Sequence, residues 1–427
     1  MKILMYCLNY APELTGIGKY TCEQAEWLAA RGHEVRVVTA PPYYPAWRVA
    51  EGYRAWQYRR ERRRWVEVFR APLWVPGRPT GAARLLHLAS FAVSSLPSLM
   101  LQLRWRPDVL FVVEPPLMCA PAALLFARWS GCKTWLHVQD YEVDAAFALG
   151  LLRRPWLQRL AQRVEQRLMS RFDRVSSISQ AMVALARGKG TEAHRAALLP
   201  NWVNLREVGS GGGGAGNADA TLARRMLELP PGAVLALYAG NMGAKQGLDV
   251  MAEAARLLQG HETLHFVFCG DGAGRDALAA ACAGLPRVRL LPLQPADRFA
   301  ALLCAADIHL LPQRAGAADL VMPSKLTGML ASARPVVATA MPGTELGRVV
   351  AQCGVLVPPG DAQALAGAIG TLAAQPALRA HLGAAGRRWA EQHLDRDMVL
   401  GELERMLFAL ARPPLQAAAA TAGAGGE

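Results

Sequence analysis

The sequence has no CxxC pair and no Cys/His cluster with zinc-ligand spacing. That argues against a zinc module or a thioredoxin-like redox site. Its eight cysteines are scattered, several of them in apolar runs, which suits buried, reduced thiols in a cytoplasmic protein. There is no GxxxxGK[ST] run, so no Walker A phosphate loop. A dinucleotide fingerprint is incomplete as well: "TGIGKYT" has Gly16 and Gly18 but Thr21 where the last glycine would stand, and no acidic residue closes the second strand. Acidic residues are the scarcer charge, 34 against 47 basic ones. The one Asp-x-Asp, Asp395-Arg396-Asp397, lies in a late helical region and reads as helix capping or surface charge. No signal peptide is expected, because Met1–Leu8 is short and followed by polar residues. One uncharged run needs weighing as a membrane span, the 19 residues Leu85–Leu103. Its His87, serines, Pro97 and Gln102 favour a buried or membrane-lying amphipathic helix over a span.

What is present is an alternation of short apolar strands and helices over 427 residues, a length for two or three domains. Strands are predicted at 2–8, 34–39, 65–70, 108–113, 133–138, 174–178 and 196–199. A second series falls at 234–239, 264–269, 288–291, 308–311, 335–338 and 355–357. Such alternation means parallel sheets covered by helices. The sequence predicts a first Rossmann-like domain over 1–208 and a glycine-rich linker over 209–220. A second domain follows over 221–394, then a C-terminal helix over 395–412 that packs back on the first domain, and a disordered tail over 413–427.

Charge is concentrated. From Arg48 to Arg106 twelve arginines face three glutamates, interleaved with tryptophans and phenylalanine. Nucleic acid, an anionic membrane surface or a solvated loop face all fit this composition. The adjacent apolar run favours the membrane over nucleic acid.

Several strand ends carry chemistry-bearing residues. His137 closes the fifth strand, where open parallel sheets bind ligands, and Asp140, Glu142 and Asp144 follow it. In "LYAGNMGAKQGLD" a strand runs into Gly240-Asn241-Met242-Gly243, and Lys245 stands near the start of a helix, an arrangement suited to a diphosphate. Gly270, Gly272 and Gly274 repeat a glycine turn on the same sheet edge. In "ADLVMPSKLTGMLA", Asp319 precedes Pro323-Ser324-Lys325, which sit at a helix start where unpaired N–H groups could hold phosphate and ribose oxygens.

In their order and spacing, "MKILMYCLNYAPELTGIGKYT", "HVQDYEVDAA", "LLPNWVN", "YAGNMGAKQGLD" and "PSKLTGMLASARPVVAT" resemble glycosyltransferase family 4 with the GT-B fold, and within it the colanic-acid-type exopolysaccharide glycosyltransferases. The resemblance covers most of the chain. It implies an α/β protein of two Rossmann-like domains whose parallel sheets face a central cleft. The C-terminal domain would bind a nucleotide sugar and the N-terminal domain a lipid-linked glycan. It implies donor contacts at Gly16, Gly18, Asn241, Lys245, Ser324, Lys325 and Leu326. His137 would lie near the transferred sugar and Asp319 near its hydroxyls; Asp140 and Lys19 are the acceptor-side candidates.

Sugar transfer would be retaining and metal-independent, with no cofactor beyond the nucleotide-sugar substrate and no nucleic-acid partner. The protein would work in the cytoplasm, on the inner face of the membrane, with residues 48–106 seating it. Three positions depart from the family pattern. Asn241 replaces an arginine, Gly328 stands where the later of two paired glutamates is expected, and "PNGVD" reads Pro200-Asn201-Trp202-Val203-Asn204. A nucleotide-sugar-binding protein that has lost catalysis, or a GT-B epimerase, are the alternatives.

Overall fold

The computed structural model describes residues 1–427 except 14–15, 78–80, 145–154, 209–214, 244–245, 315–322 and 412–427, and except the side chains of 215–218 and 296–297. The chain divides into two compact units. One comprises Met1–Ser176, Ala186–Ala197 and the chain from Leu400 on; the other comprises Ser177–Leu185 and Leu198–Val399.

The first unit is built on strands β1 (Lys2–Tyr6), β2 (Glu34–Thr39), β3 (Arg59–Arg63), β4 (Val66–Arg70), β5 (Val109–Glu114), β6 (Lys133–Val138), β7 (Arg174–Ser177) and β8 (Ala196–Leu198). They lie in the order β3-β4-β2-β1-β5-β6-β7-β8. β4, β2, β1, β5 and β6 pair in parallel. Parallel pairing buries both faces, and β5, Val-Leu-Phe-Val-Val-Glu, is buried at every position.

β3 is the element that sequence pattern missed. It pairs antiparallel with β4, Arg60 opposite Phe69 and Arg62 opposite Glu67. "RRERR" has no apolar alternation, so its ladder and its ion pairs hold it. Arg60 bonds Glu67 at 2.7 Å, and Arg63 and Arg64 both pair with Glu26, at 2.9 and 3.0 Å. A charged outer strand also discourages edge-to-edge association. Much of the basic stretch is therefore neutralised locally. Arg70, 2% exposed, points inward: its guanidinium donates to Glu61 at 2.7 Å, Ala40 O at 2.8 Å and Ala11 O at 2.5 Å.

Helix α1 (Gly16–Ala30) follows β1, and α2 (Gly81–Ser94) precedes β5. By length and composition the segment Gly81–Arg104 could cross a membrane. The structure breaks it near Ser95 and seats His87, Leu88, Phe91, Ser98 and Leu99 inside the unit. Leu85, Leu86, Val93 and Leu101 face outward. The final helix, Arg396–Ala411, lays Leu400, Leu403 and Leu407 into buried positions. Its Glu404 accepts both Arg31 Nε, at 2.9 and 3.0 Å, and His33 Nε2, at 2.8 Å.

The second unit has β9 (Val234–Ala239), β10 (Leu264–Cys269), β11 (Val288–Leu291), β12 (Ile308–Pro312), β13 (Val336–Thr339) and β14 (Gly354–Val357). They form one sheet in the order β11-β10-β9-β12-β13-β14, every pairing parallel. β9 divides its side chains by period two. Leu235, Leu237 and Ala239 enter one core, and Val234, Ala236 and Tyr238 the other.

The passage between units differs from the sequence-based boundary. Residues 198–208 already belong to the second unit: Val203 and Val208 sit in its core, and Val203 N donates to Leu394 O at 2.9 Å. The expected linker over 209–220 runs into a helix that starts at Ala215 and ends at Met226. Ala, Leu and Arg dominate that helix and outweigh the preceding glycines. The expected tail over 413–427 lies outside the described residues.

Candidate active site

In the second unit, two glycine turns at the C-terminal edge of the sheet pack backbone to backbone. Gly240 N donates to Cys269 O at 2.9 Å, Met242 N to Asp271 O at 2.8 Å, and Gly274 N to Met242 O at 2.8 Å. A Cβ on Gly270, whose φ is +156°, would stand 1.9 Å from Gly240 O. On Gly272 it would stand 2.7 Å from Asn241 Oδ1 and 2.8 Å from Met242 O. These glycines thus have a reason for being glycine before any ligand arrives.

Lys325 reaches this turn from the helix Lys325–Ala331. Its Nζ donates to Tyr238 Oη at 2.6 Å, Asn241 O at 3.1 Å and Gln246 Oε1 at 3.3 Å. It lies 4.1 Å from the centroid of the Tyr238 ring. Tyr238 Oη in turn donates to Asn241 O at 2.5 Å. A Cβ on Gly240 would meet Lys325 Cε at 2.4 Å, so the lysine stem lies directly on the turn. Among the described residues no carboxylate pairs with Lys325, and burial lowers its ammonium to about 7. The arrangement is a cation held by neutral acceptors over a backbone turn, chemistry that favours an arriving anion. Tyr238 and Gln246 were not singled out from sequence; the phenol stands next to the end of an otherwise apolar strand, which is the signal available.

The other donor-side candidates divide. Asn241 and Lys325 are brought together, as described. Ser324 is exposed and precedes the helix without a capping side-chain bond. Leu326 is a core residue, 1% exposed, and its N–H is used by Pro323 O at 3.1 Å. The helix has seven residues, so its dipole is a small part of any phosphate attraction. Lys245 and Asp319 lie outside the described residues.

In the first unit, Gly16 opens α1 with φ +62°. A Cβ on Gly18 would stand 2.6 Å from Glu13 Oε2, so Gly18 admits Glu13. Glu13, 6% exposed, accepts Tyr43 N and Tyr44 N at 3.0 Å each and Asn9 Nδ2 at 2.9 Å. Its role is to fix the loop after β2. Lys19 lies on the outside of α1, 3.8 Å from Glu23.

His137 is 3% exposed. Gln139 Nε2 donates to its Nε2 at 3.0 Å, which assigns the ring proton to Nδ1, bonded to Ser176 Oγ at 2.9 Å. Burial lowers its pKa to about 3, leaving a neutral imidazole inside the unit. The ring is thus enclosed between Ser176 and Gln139 inside the first unit.

A carboxyl group the sequence reading passed over lies nearby. Glu114, wholly buried at the end of β5, has no hydrogen-bond partner for either oxygen among the described residues. Burial, then the charge of Glu142, push its pKa well up. Glu142 accepts Leu117 N at 2.9 Å, and burial pushes it up to about 7. Asp140 is half-buried between them in sequence.

The chain is similar to known proteins over most of its length. A family model described as glycosyl transferase 4-like domain matches residues 15–202, and one described as glycosyl transferases group 1 matches residues 233–375. The chain is 45% identical over 408 residues to the colanic acid biosynthesis glycosyl transferase WcaI of Escherichia coli (strain K12). That alignment covers 94% of this chain and 98% of the relative. Among solved structures, sucrose-phosphate synthase from Thermosynechococcus elongatus superposes with a TM-score of 0.74 at 18% identity, covering 96% of this chain and 99% of that one. Alr3699/HepE of Anabaena in complex with UDP and glucose gives a TM-score of 0.68 at 16% identity, covering 96% and 100%.

Proposed function

The chain belongs to the family 4 glycosyltransferases, and from that premise we propose that it moves a sugar from a nucleotide-sugar donor to a polyprenyl-diphosphate-linked glycan in exopolysaccharide synthesis. The observation that carries the donor half is Lys325, a lysine set on the glycine turn with no carboxylate partner among the described residues. The complex of HepE with UDP and glucose supports a nucleoside diphosphate as the ligand class. The relative named for colanic acid biosynthesis supports a surface polysaccharide as the product.

The physical task is to stabilise a departing diphosphate. Lys325 and Lys245 supply that charge, in place of a metal. Departure and attack take place on one face of the sugar. The acceptor oxygen bonds to the anomeric carbon as the bond to phosphate breaks. The electron pair leaves with the diphosphate, and a leaving phosphate oxygen takes the acceptor proton. Asp319 binds sugar hydroxyls and the His137 carbonyl orients the ring.

The first unit carries the acceptor at the cytoplasmic membrane surface, through the basic and apolar face of residues 48–106. Exposed Trp56, Trp65, Trp74, Leu86 and Val93 support this seat. Flotation with anionic liposomes is expected to be salt-sensitive; a protein that stays unbound at low salt contradicts it. Lys245→Ala is expected to weaken donor binding by about 1.5–3 kcal/mol, measured by calorimetry, and unchanged affinity removes Lys245 from the site.

One observation favours a second reading, a donor-binding protein without transfer. Gly328 stands where the resemblance puts a glutamate, and a Cβ there would meet Leu303 Cδ1 at 2.9 Å. Product analysis with a lipid acceptor separates the two: bound donor with neither transfer nor slow hydrolysis supports the second.

A further inference from the structure

The first unit contains a pocket of about 170 Å³ lined by Pro12, Glu13, Tyr43, Tyr44, Arg48 and Ala50 among others. Resting on the reading that the acceptor is lipid-linked, we propose that this pocket takes the sugar ring of that acceptor, with Arg48 and Arg84 gripping its phosphates.

The pocket is built before any ligand arrives. Glu13 holds Tyr43 and Tyr44 by their backbone N–H groups, and its other oxygen is held by Asn9. The carboxylate can therefore neither swing out nor repel a ligand at full strength. Tyr43 packs its ring edge-on to His87 of α2, centroids 4.7 Å apart, and to Trp47 at 5.6 Å. His87 is itself fixed, donating from Nδ1 to Trp74 O at 2.7 Å. So the loop over 42–50 and the start of α2 form one rigid wall, of the preformed kind that binds small ligands.

The chemistry of the wall is mixed in the way a sugar phosphate requires. Tyr44 is half-buried beside Gly16, its ring edge 3.7 Å from where a Cβ on that glycine would be. It offers an aromatic face to a pyranose. Arg48 lines the pocket, and Arg84 stands one helical turn before His87. The Arg84 charge acts on Tyr43, Tyr44 and Glu142, opposing the rise that burial gives each of them. Neither arginine has a carboxylate ion pair among the described residues, unlike Arg60, Arg63, Arg64 and Arg70 of the same basic stretch. Planar guanidinium groups without partners suit phosphate oxygens. Directly after Arg84, Leu85 and Leu86 are 43% and 58% exposed, and Val93 is 68% exposed two turns on. An acceptor with a sugar, a diphosphate and a polyprenyl chain meets these surfaces in that order. The pocket's volume suits one ring, so the acceptor class is a lipid carrying a single sugar or a short glycan.

Anionic phospholipid headgroups share the phosphate chemistry, so the test separates the two. Binding of a farnesyl-diphosphate-linked hexose, soluble without a bilayer, is measured by calorimetry. The proteins compared are the wild type, Arg48→Ala, Arg84→Ala, Tyr44→Ala, Tyr44→Phe and, as a control on the edge strand, Arg62→Ala. The expected result is wild-type binding, a loss of about tenfold or more for each arginine variant, a loss for Tyr44→Ala restored by Tyr44→Phe, and full affinity for Arg62→Ala. Nucleotide-sugar affinity, measured in parallel, is expected to be unchanged in all of them. Full probe affinity in the double variant Arg48→Ala/Arg84→Ala overturns the proposal. So does a double variant that loses only flotation with phosphatidylglycerol vesicles, since the arginines then serve headgroups. A wild type that binds nucleotide sugar but not the probe overturns the pocket and leaves the donor half of the proposed function standing; one that binds neither contradicts both.

Discussion

Lys325 illustrates what a single residue in this chain is asked to do. Its ammonium has three neutral acceptors and an aromatic face, and burial alone lowers it to about 7. A bound diphosphate favours the protonated form, so donor binding takes up a proton above that value. Donor affinity is therefore expected to hold steady below pH 7 and to fall as pH rises beyond it. Lys325→Met is expected to bind more weakly by about 1.5–3 kcal/mol and to lose the slope, both read by calorimetry either side of pH 7. A slope unchanged in the variant assigns the proton to another group. At this scale the sequence showed where charge stands but not what surrounds it. "PSK" announced a lysine at a helix start; nothing in it announced that the side chain folds back under Tyr238. His137 was legible as a strand-end residue, while its enclosure by Ser176 and Gln139 depends on β7, which is 39 residues away in the chain.

The elements were more legible than the residues, and for a physical reason. Strands buried on both faces must be short apolar runs, and such runs stand out between helices. β2, β6, β9, β10 and β11 fall where the pattern predicted them. β3 did not, because its stability comes from partners across the ladder and not from its own apolar content. The glycine turns were legible from composition; what composition did not show is that they allow two turns to interlock. Gly270→Ala is accordingly expected to destabilise the second unit by roughly 1–3 kcal/mol. Gly243→Ala, whose Cβ would meet only Asn241 Nδ2 at 3.5 Å, is expected to be nearly neutral. Denaturant midpoints compare the two; equal midpoints contradict the interlocking account.

For the molecule as a whole, buried titratable groups shape the response to acid. Burial raises Glu13, Glu114, Glu142 and Glu165, with Glu142 at about 7. The unfolded chain releases those protons near pH ~4.3, so the folded state binds more protons in the interval above. Their contribution to stability is present in full below that value and is lost as pH rises through the folded one. Buried His137 and His309, lowered to about 3, act in the opposite sense over the same interval. The carboxyl contribution is therefore read as a difference: between mildly acidic and neutral pH the thermal midpoint of Glu114→Gln is expected to fall less, or climb more, than that of the wild type, and identical trends rule this out.

Chain topology matters at the same scale. The helix from Leu400 on returns to the first unit and puts Leu403 and Leu407 into its interior. Burial opposes ionisation of Glu404, and the bonds from Arg31 and His33 more than offset it.

On the proposed function, the second unit holds a nucleoside-diphosphate sugar without help from a metal. The most direct measurement is the thermal midpoint of the full chain against GDP-, UDP-, ADP- and dTDP-sugars with EDTA present throughout. A clear rise is expected with one nucleotide class, diminished in Lys325→Met. A midpoint that moves with none of them, or that moves only once a divalent cation is restored, contradicts it.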